Sequence, residues 1–201
     1  MHKFGYLISL TVLLLIGLPM NGYGYPSKAA EGLIADGTEF EMEYMIPTGE
    51  RRDIDTISLN IIKEDHYNGS VALYNGITLT HAWGDMTRSG VTSDCAAYGI
   101  GPTYLVRIGV KEWNAAAFFL DLSGALIFYD KHFPSNGEFY NFMWRIGPMF
   151  SCRIGEHFLF DVGYKWMHVS NGQLYWPELT GTAHNPAYNA KGLSISIVHC
   201  F

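Results

Sequence analysis

The feature that most limits what this chain can fold into is an alternation of period two that returns, segment after segment, along most of its length. From 96 to 108, Ala96, Tyr98, Ile100, Pro102, Tyr104, Val106 and Ile108 share one parity, against Ala97, Gly99, Gly101, Thr103, Leu105 and Arg107. Side chains two apart on an extended chain leave the same face, so this is a strand with one bulky face and one small or polar face. The division returns where Phe118, Leu120, Leu122, Leu126 and Phe128 oppose Asp121 and Ser123. It returns again where Tyr140, Phe142, Trp144, Ile146 and Phe150 oppose Asn141, Arg145, Ser151 and Arg153. After a tight turn at 153–156, Phe158, Phe160, Val162, Tyr164 and Trp166 continue it against Asp161, Gly163 and Lys165.

The earlier segments read the same way with more punctuation. Gly37 to Ile46 alternates polar with apolar residues; a polar loop follows from Pro47 to Asp55, then a strand from Thr56 to Lys63 and a turn over 64–69. A third strand begins at Val71 and ends near Trp83, before a polar loop from Gly84 to Asp94. A long loop, Asn171 to Ala190, precedes a last strand from Gly192 to Phe201, which brings the count to about eight strands.

Two architectures use such a pattern. A soluble sandwich or lipocalin-like barrel turns the apolar face inward, whereas a membrane barrel turns it outward. The second is favoured by strand lengths beyond the ~9–11 residues a tilted crossing needs, by the aromatic content of the apolar face, and by loops that alternate short and long. The final run Leu193, Ile195, Ile197, His199, Phe201 ends on an aromatic residue, as outer-membrane barrels do. The expected fold is therefore all-β: an eight-stranded antiparallel transmembrane β-barrel of the outer-membrane type. Asp121, Arg145, Asp161 and Lys165 would fill a narrow lumen, where they must pair.

The N-terminus fits export to such a location. Met1-His2-Lys3 is followed by an apolar run from Tyr6 to Leu18 and then small residues, the build of a secretory signal over 1–24, with a second possible cut as late as residue 30. Residues 25–201 then form a single barrel domain. A net charge of −6 gives no basic footprint for nucleic acid. Cys95, Cys152 and Cys200 have neither pairing nor metal-ligand spacing, and scattered histidines such as His81 and His132 read as ordinary surface residues. No metal or other cofactor is expected.

One stretch carries chemistry. In Trp166-Met167-His168-Val169-Ser170-Asn171-Gly172, parity sets a base, His168, beside a hydroxyl, Ser170, on the aromatic face of the penultimate strand. A polar strand end running into a turn is the plainer reading of these residues. With His168-Val169-Ser170-Asn171 in place near the strand's end and Asn185-Pro186 before the last strand, the second half of the chain, 96–201, resembles the PagL-type lipid A 3-O-deacylase (acyloxyacyl hydrolase) family. The resemblance implies an eight-stranded outer-membrane barrel that removes an ester-linked acyl chain from lipid A at a site on the outer wall, where parity alone also puts the pair. It implies Ser170 as nucleophile, His168 as base, and Asn171 with the backbone at Gly172 as oxyanion hole. Asn189 stands where the family's best-known member carries the acid of the triad, and Gly172-Gln173 replaces the family's Ala-Gly. Glu178, in the loop beside Pro177, is the alternative acid. The partners implied are lipid A or lipopolysaccharide as substrate and the surrounding outer-membrane lipid. The site also resembles outer-membrane phospholipase A, a larger calcium-dependent barrel, and a non-catalytic structural or adhesion barrel is the third reading.

Overall fold

A computed structural model of the protein describes residues 37–49, 52–88, 90–135, 137–171 and 187–200. The signal segment and its alternative cut lie outside the described residues. Among the described residues, nine strands form one sheet: β1 (Gly37–Pro47), β2 (Arg52–Asn68), β3 (Val71–Arg88), β4 (Val91–Asp94), β5 (Ala97–Glu112), β6 (Ala116–Tyr129), β7 (Tyr140–Arg153), β8 (Phe158–Ser170) and β9 (Tyr188–Cys200). Every neighbouring pair is antiparallel, β9 pairs back onto β1, and β2 pairs with β3. Eight strands thereby close into a barrel, while the short β4 only extends the end of β3 as a hairpin. We call lower the end with the connections at 69–70, 113–115 and 154–157, and upper the end where β8 finishes and β9 begins.

The outer wall is apolar and the lumen polar, the inversion that a barrel in lipid requires. Met42, Tyr98, Ile100, Tyr104, Ile146, Trp166 and Leu193 all point outward, Met42 with 57% and Trp166 with 56% of its surface open. So continuous an exposed apolar surface has no place in water. Apart from the short β4 hairpin, each strand has 11 to 18 residues, enough to cross a bilayer at a tilt.

Two elements differ from the sequence expectation, for one reason. β2 is not confined to 56–63 but runs Arg52–Asn68, passing through a bulge between Glu64 and His66, so the turn is reduced to Gly69 and Ser70. The loop expected over 47–55 shrinks accordingly to a short connection. Likewise the expected polar loop at 84–94 is mostly strand: β3 continues to Arg88 and folds back on β4. Strands here project beyond the apolar belt, and beyond it a polar residue no longer signals the end of pairing. Gly84, with φ +132°, makes the β3 extension possible, since a Cβ there would lie 1.9 Å from the Asp53 carbonyl oxygen.

Buried side chains fill the lumen in layers. Met45, Ile54, Tyr129, Phe133, Met143, Met167, Val169 and Tyr188 cap it above, and Ala117, Phe119, Met149, Leu159 and Val198 line it below. Between them lies a fully sealed ionic network. Arg107 makes a bidentate contact with Asp121 (2.9 Å twice) and reaches Asp161 and Glu39 at 3.2 Å, its guanidinium 5.3 Å from the ring centres of both Tyr74 and Phe119. Arg145 donates to Glu43 (2.5 Å) and Asn60 (2.9 Å), and Lys165 to Glu41. The four residues expected in the lumen are there. Arg107 and the column Glu39, Glu41, Glu43 complete the pairing; in the sequence, the alternation Glu-Phe-Glu-Met-Glu was their signal.

Removing one partner of a buried pair strands the other. Arg145→Leu should therefore lower unfolding stability in detergent micelles by about 3–5 kcal/mol, and adding Glu43→Leu should restore part of the loss. A single variant that keeps the wild-type urea midpoint and heat-modifiable migration would show that these groups are not coupled.

Candidate active site

β8 is fixed between β7 and β9, and the register decides what surrounds His168. Its cross-strand partner on β7 is Trp144 and on β9 is Asn189; one step up, Ser170 faces Phe142, and one step down, Trp166 faces Ile146 and Lys191. All of these outward residues stand on one patch of wall at the upper end. Inward residues pin the patch from behind: Val169 and its partner Tyr188 are fully buried, and Phe133 meets Tyr188 edge-on with ring centres 5.9 Å apart. From the side, Thr48 donates to the Asn189 carbonyl through its backbone N–H (3.0 Å) and its hydroxyl (3.2 Å), so the first residues of β9 are held by the end of β1. Gly124 makes room for Trp144, whose ring lies where a Cβ would come within 2.8 Å.

The contact that gives the patch its chemistry is between His168 Nδ1 and Asn189 Oδ1, at 2.7 Å. An amide oxygen can only accept, so the imidazole must donate through Nδ1–H. In the neutral ring that leaves the lone pair on Nε2, the nitrogen able to take a proton from elsewhere. Ser170 lies two residues further along the same strand and face, about 7 Å on at the backbone, and is half-buried whereas His168 is exposed. The structure thus brings His168, Ser170 and Asn189 onto one stretch of outer wall. Asn171, just past the end of β8, is 1% exposed. Gly172, Glu178 and the Asn185-Pro186 turn lie outside the described residues.

Among the described residues no group of three or more His, Cys, Asp or Glu side chains converges as metal ligands would. His81 is stacked between Trp83 and Tyr98 (ring centres 5.1 and 4.1 Å away) and its Nδ1 is 3.2 Å from the Ala97 carbonyl, while His132 Nδ1 is 2.8 Å from the Gly137 carbonyl. Sequence reasoning did not single out Trp144 or Phe142 as walls of the site. Only the strand register, which depends on turn lengths and bulges, sets them beside His168 and Ser170.

No family model and no curated protein matches the chain. Among solved structures the barrel is similar to one described as the crystal structure of the outer membrane enzyme PagL, with a TM-score of 0.49 and 13% identity, covering 79% of this chain and 97% of that one. At that identity no residue role passes from that enzyme to this chain.

The hydrogen bond makes a prediction about residue 189. Asn189→Ala frees the ring to rotate and to change tautomer, and should lower turnover of a p-nitrophenyl ester in micelles by about 10²-fold or more. Asn189→Asp, which keeps the acceptor and adds a charge, should retain or raise turnover. An Asn189→Ala protein with unchanged kcat would mean that the contact only ties β8 to β9.

Proposed function

We propose that the protein is an outer-membrane esterase that hydrolyses an ester-linked acyl chain of an outer-leaflet lipid, with the 3-O-acyl chain of lipid A as the substrate bond. The observation that carries this reading is the 2.7 Å His168–Asn189 contact beside Ser170 on an apolar, aromatic outer wall. A soluble substrate has no reason to be met there. A lipid lies there already, its acyl chains along the wall and its ester groups at the rim.

In this mechanism His168 Nε2 takes the Ser170 Oγ proton as Oγ attacks the ester carbonyl carbon. The tetrahedral intermediate places its oxyanion toward backbone N–H groups that follow the nucleophile, those of Asn171 and Gly172, because the Asn171 side chain expected in that role is buried; one such donor is worth about 3–4 kcal/mol in the transition state. Collapse breaks the bond to the alkoxy oxygen, which leaves with the proton held by His168 and stays on the lipid as a hydroxyl. Water, deprotonated in turn by His168, then releases the fatty acid from the acyl-serine. Asn189 keeps the imidazole in the reactive tautomer throughout. No step calls for a metal.

The test is mass spectrometry of lipid A from cells expressing the wild type beside Ser170→Ala and His168→Ala. Wild type should remove one hydroxyacyl chain, and both variants should leave lipid A intact while still forming a heat-modifiable barrel. Intact lipid A with fatty acid released from phospholipid would transfer the activity to a phospholipase. Full activity in Ser170→Ala would remove the hydrolase reading altogether.

A further inference from the structure

Lys191 is a charge in an unusual place. It sits on β9 with its side chain on the outer wall, half-buried, one cross-strand pair below His168 and Asn189, and its neighbours in register are Trp166 on β8 and Ile46 on β1. The three lumenal cations Arg107, Arg145 and Lys165 all touch carboxylates. Lys191 has no ion pair or hydrogen bond among the described residues. Asp55, an outward carboxylate on β2, lies across β1 from it and accepts the Tyr44 hydroxyl at 3.3 Å.

An ammonium on an apolar wall does not stay at the depth of its own Cα. The lysine stem extends along the surface and lifts the charge toward the polar interface. The rise from residue 191 to residue 189 is about 7 Å, close to the reach of that stem. The charge therefore arrives at the level of the His168–Asn189 pair, beside the place where a scissile ester would lie. At that level, beside the exposed His168, the ammonium meets the headgroup region, where a phosphate oxygen can accept a charge-assisted hydrogen bond from it.

We propose that Lys191 is the specificity-determining residue of this site, its ammonium holding a phosphate on the headgroup of the lipid whose ester is cut. This rests on the esterase reading above and deepens it: the substrate class becomes a phosphorylated acyl lipid, with phosphorylated lipid A as the member committed to. Lys191 touches the headgroup and not the reacting atoms, so it governs binding of the phosphorylated form and leaves the chemistry on a phosphate-free ester unchanged.

The experiment uses the full chain in dodecyl maltoside micelles with two substrates, bisphosphorylated lipid A and the same lipid after phosphatase treatment. Wild type should favour the phosphorylated form about tenfold in kcat/KM, the size of one charge-assisted hydrogen bond, expressed in KM. Lys191→Ala should lose that preference while cleaving the dephosphorylated lipid at the wild-type rate, and Lys191→Arg should keep it. A Lys191→Ala protein that still prefers the phosphorylated form, or that loses activity on both forms equally, overturns the proposal and leaves the esterase reading standing. A wild type that cleaves neither lipid sinks the esterase reading and this proposal with it. Phosphatidylglycerol run beside diacylglycerol separates the source: a Lys191-dependent preference there and not in lipid A keeps the phosphate contact but overturns the commitment to lipid A.

Discussion

A chain that crosses a bilayer must satisfy every backbone N–H and C=O from within, because lipid offers no partner. Pairing of β9 with β1 and of β2 with β3 does this by leaving no edge among the eight long strands. Closure in turn imposes the period of two everywhere. Once the sheet is a cylinder, each residue faces either lipid or lumen, and shifting any strand by one residue would exchange the two sets. The cost of turning Glu39, Glu41 and Glu43 toward lipid, or Phe40, Met42 and Tyr44 toward the lumen, fixes the register of β1 against both of its neighbours.

A closed cylinder of eight strands is too narrow for a water-filled channel, so its polar interior has to solve its own electrostatics. Three cations face five carboxylates between two apolar layers, and direct contact makes that arrangement tolerable. The network also ties distant strands together: Arg107 on β5 reaches β1, β6 and β8, and Arg145 on β7 reaches β1, β2, β3 and β5. A site on the outer wall gains from this. The strands that carry His168, Ser170 and Asn189 are braced from the inside by Lys165 and Ser194 on a single carboxylate, Glu41, so the outer residues need no second layer of their own.

Much of this was legible in the residues because β-parity is a local property. The faces of β5 to β9 and the lumenal places of Asp121, Arg145, Asp161 and Lys165 follow from alternation alone. So does the sharing of one face by Asn189, His168 and Ser170, since two strands joined by a hairpin keep their outer faces together. What alternation could not supply was the extent of β2 and β3, whose ends lie beyond the apolar belt where Asp65, His66 and Asp85 no longer mark a break in pairing. Nor could it supply which residue lies opposite which. The pairing of His168 with Trp144 and the reach of Arg107 across the lumen are set by turn length, by the bulges at Glu64/His66 and Gly109/Lys111, and by the stagger of the closed sheet.

On the esterase reading proposed above, the amide at 189 has a physical rationale. In a water-filled or buried triad, a carboxylate both orients the histidine and balances the imidazolium charge that builds up as the serine is deprotonated. In this barrel a carboxylate at 189 would stand two residues from Lys191 on the same face and draw its ammonium away from a headgroup phosphate, a cost that a phosphate-free p-nitrophenyl ester does not feel. An asparagine adds no carboxylate beside the ammonium and still supplies the acceptor that fixes Nδ1–H. On the proposed mechanism the imidazolium charge would be balanced by the oxyanion that forms with it a few ångströms away, an attraction stronger beside an apolar wall than in bulk water. On that reading, a neutral residue at 189 beside Lys191 suits a substrate that brings its own negative charge, as the proposed phosphorylated lipid does.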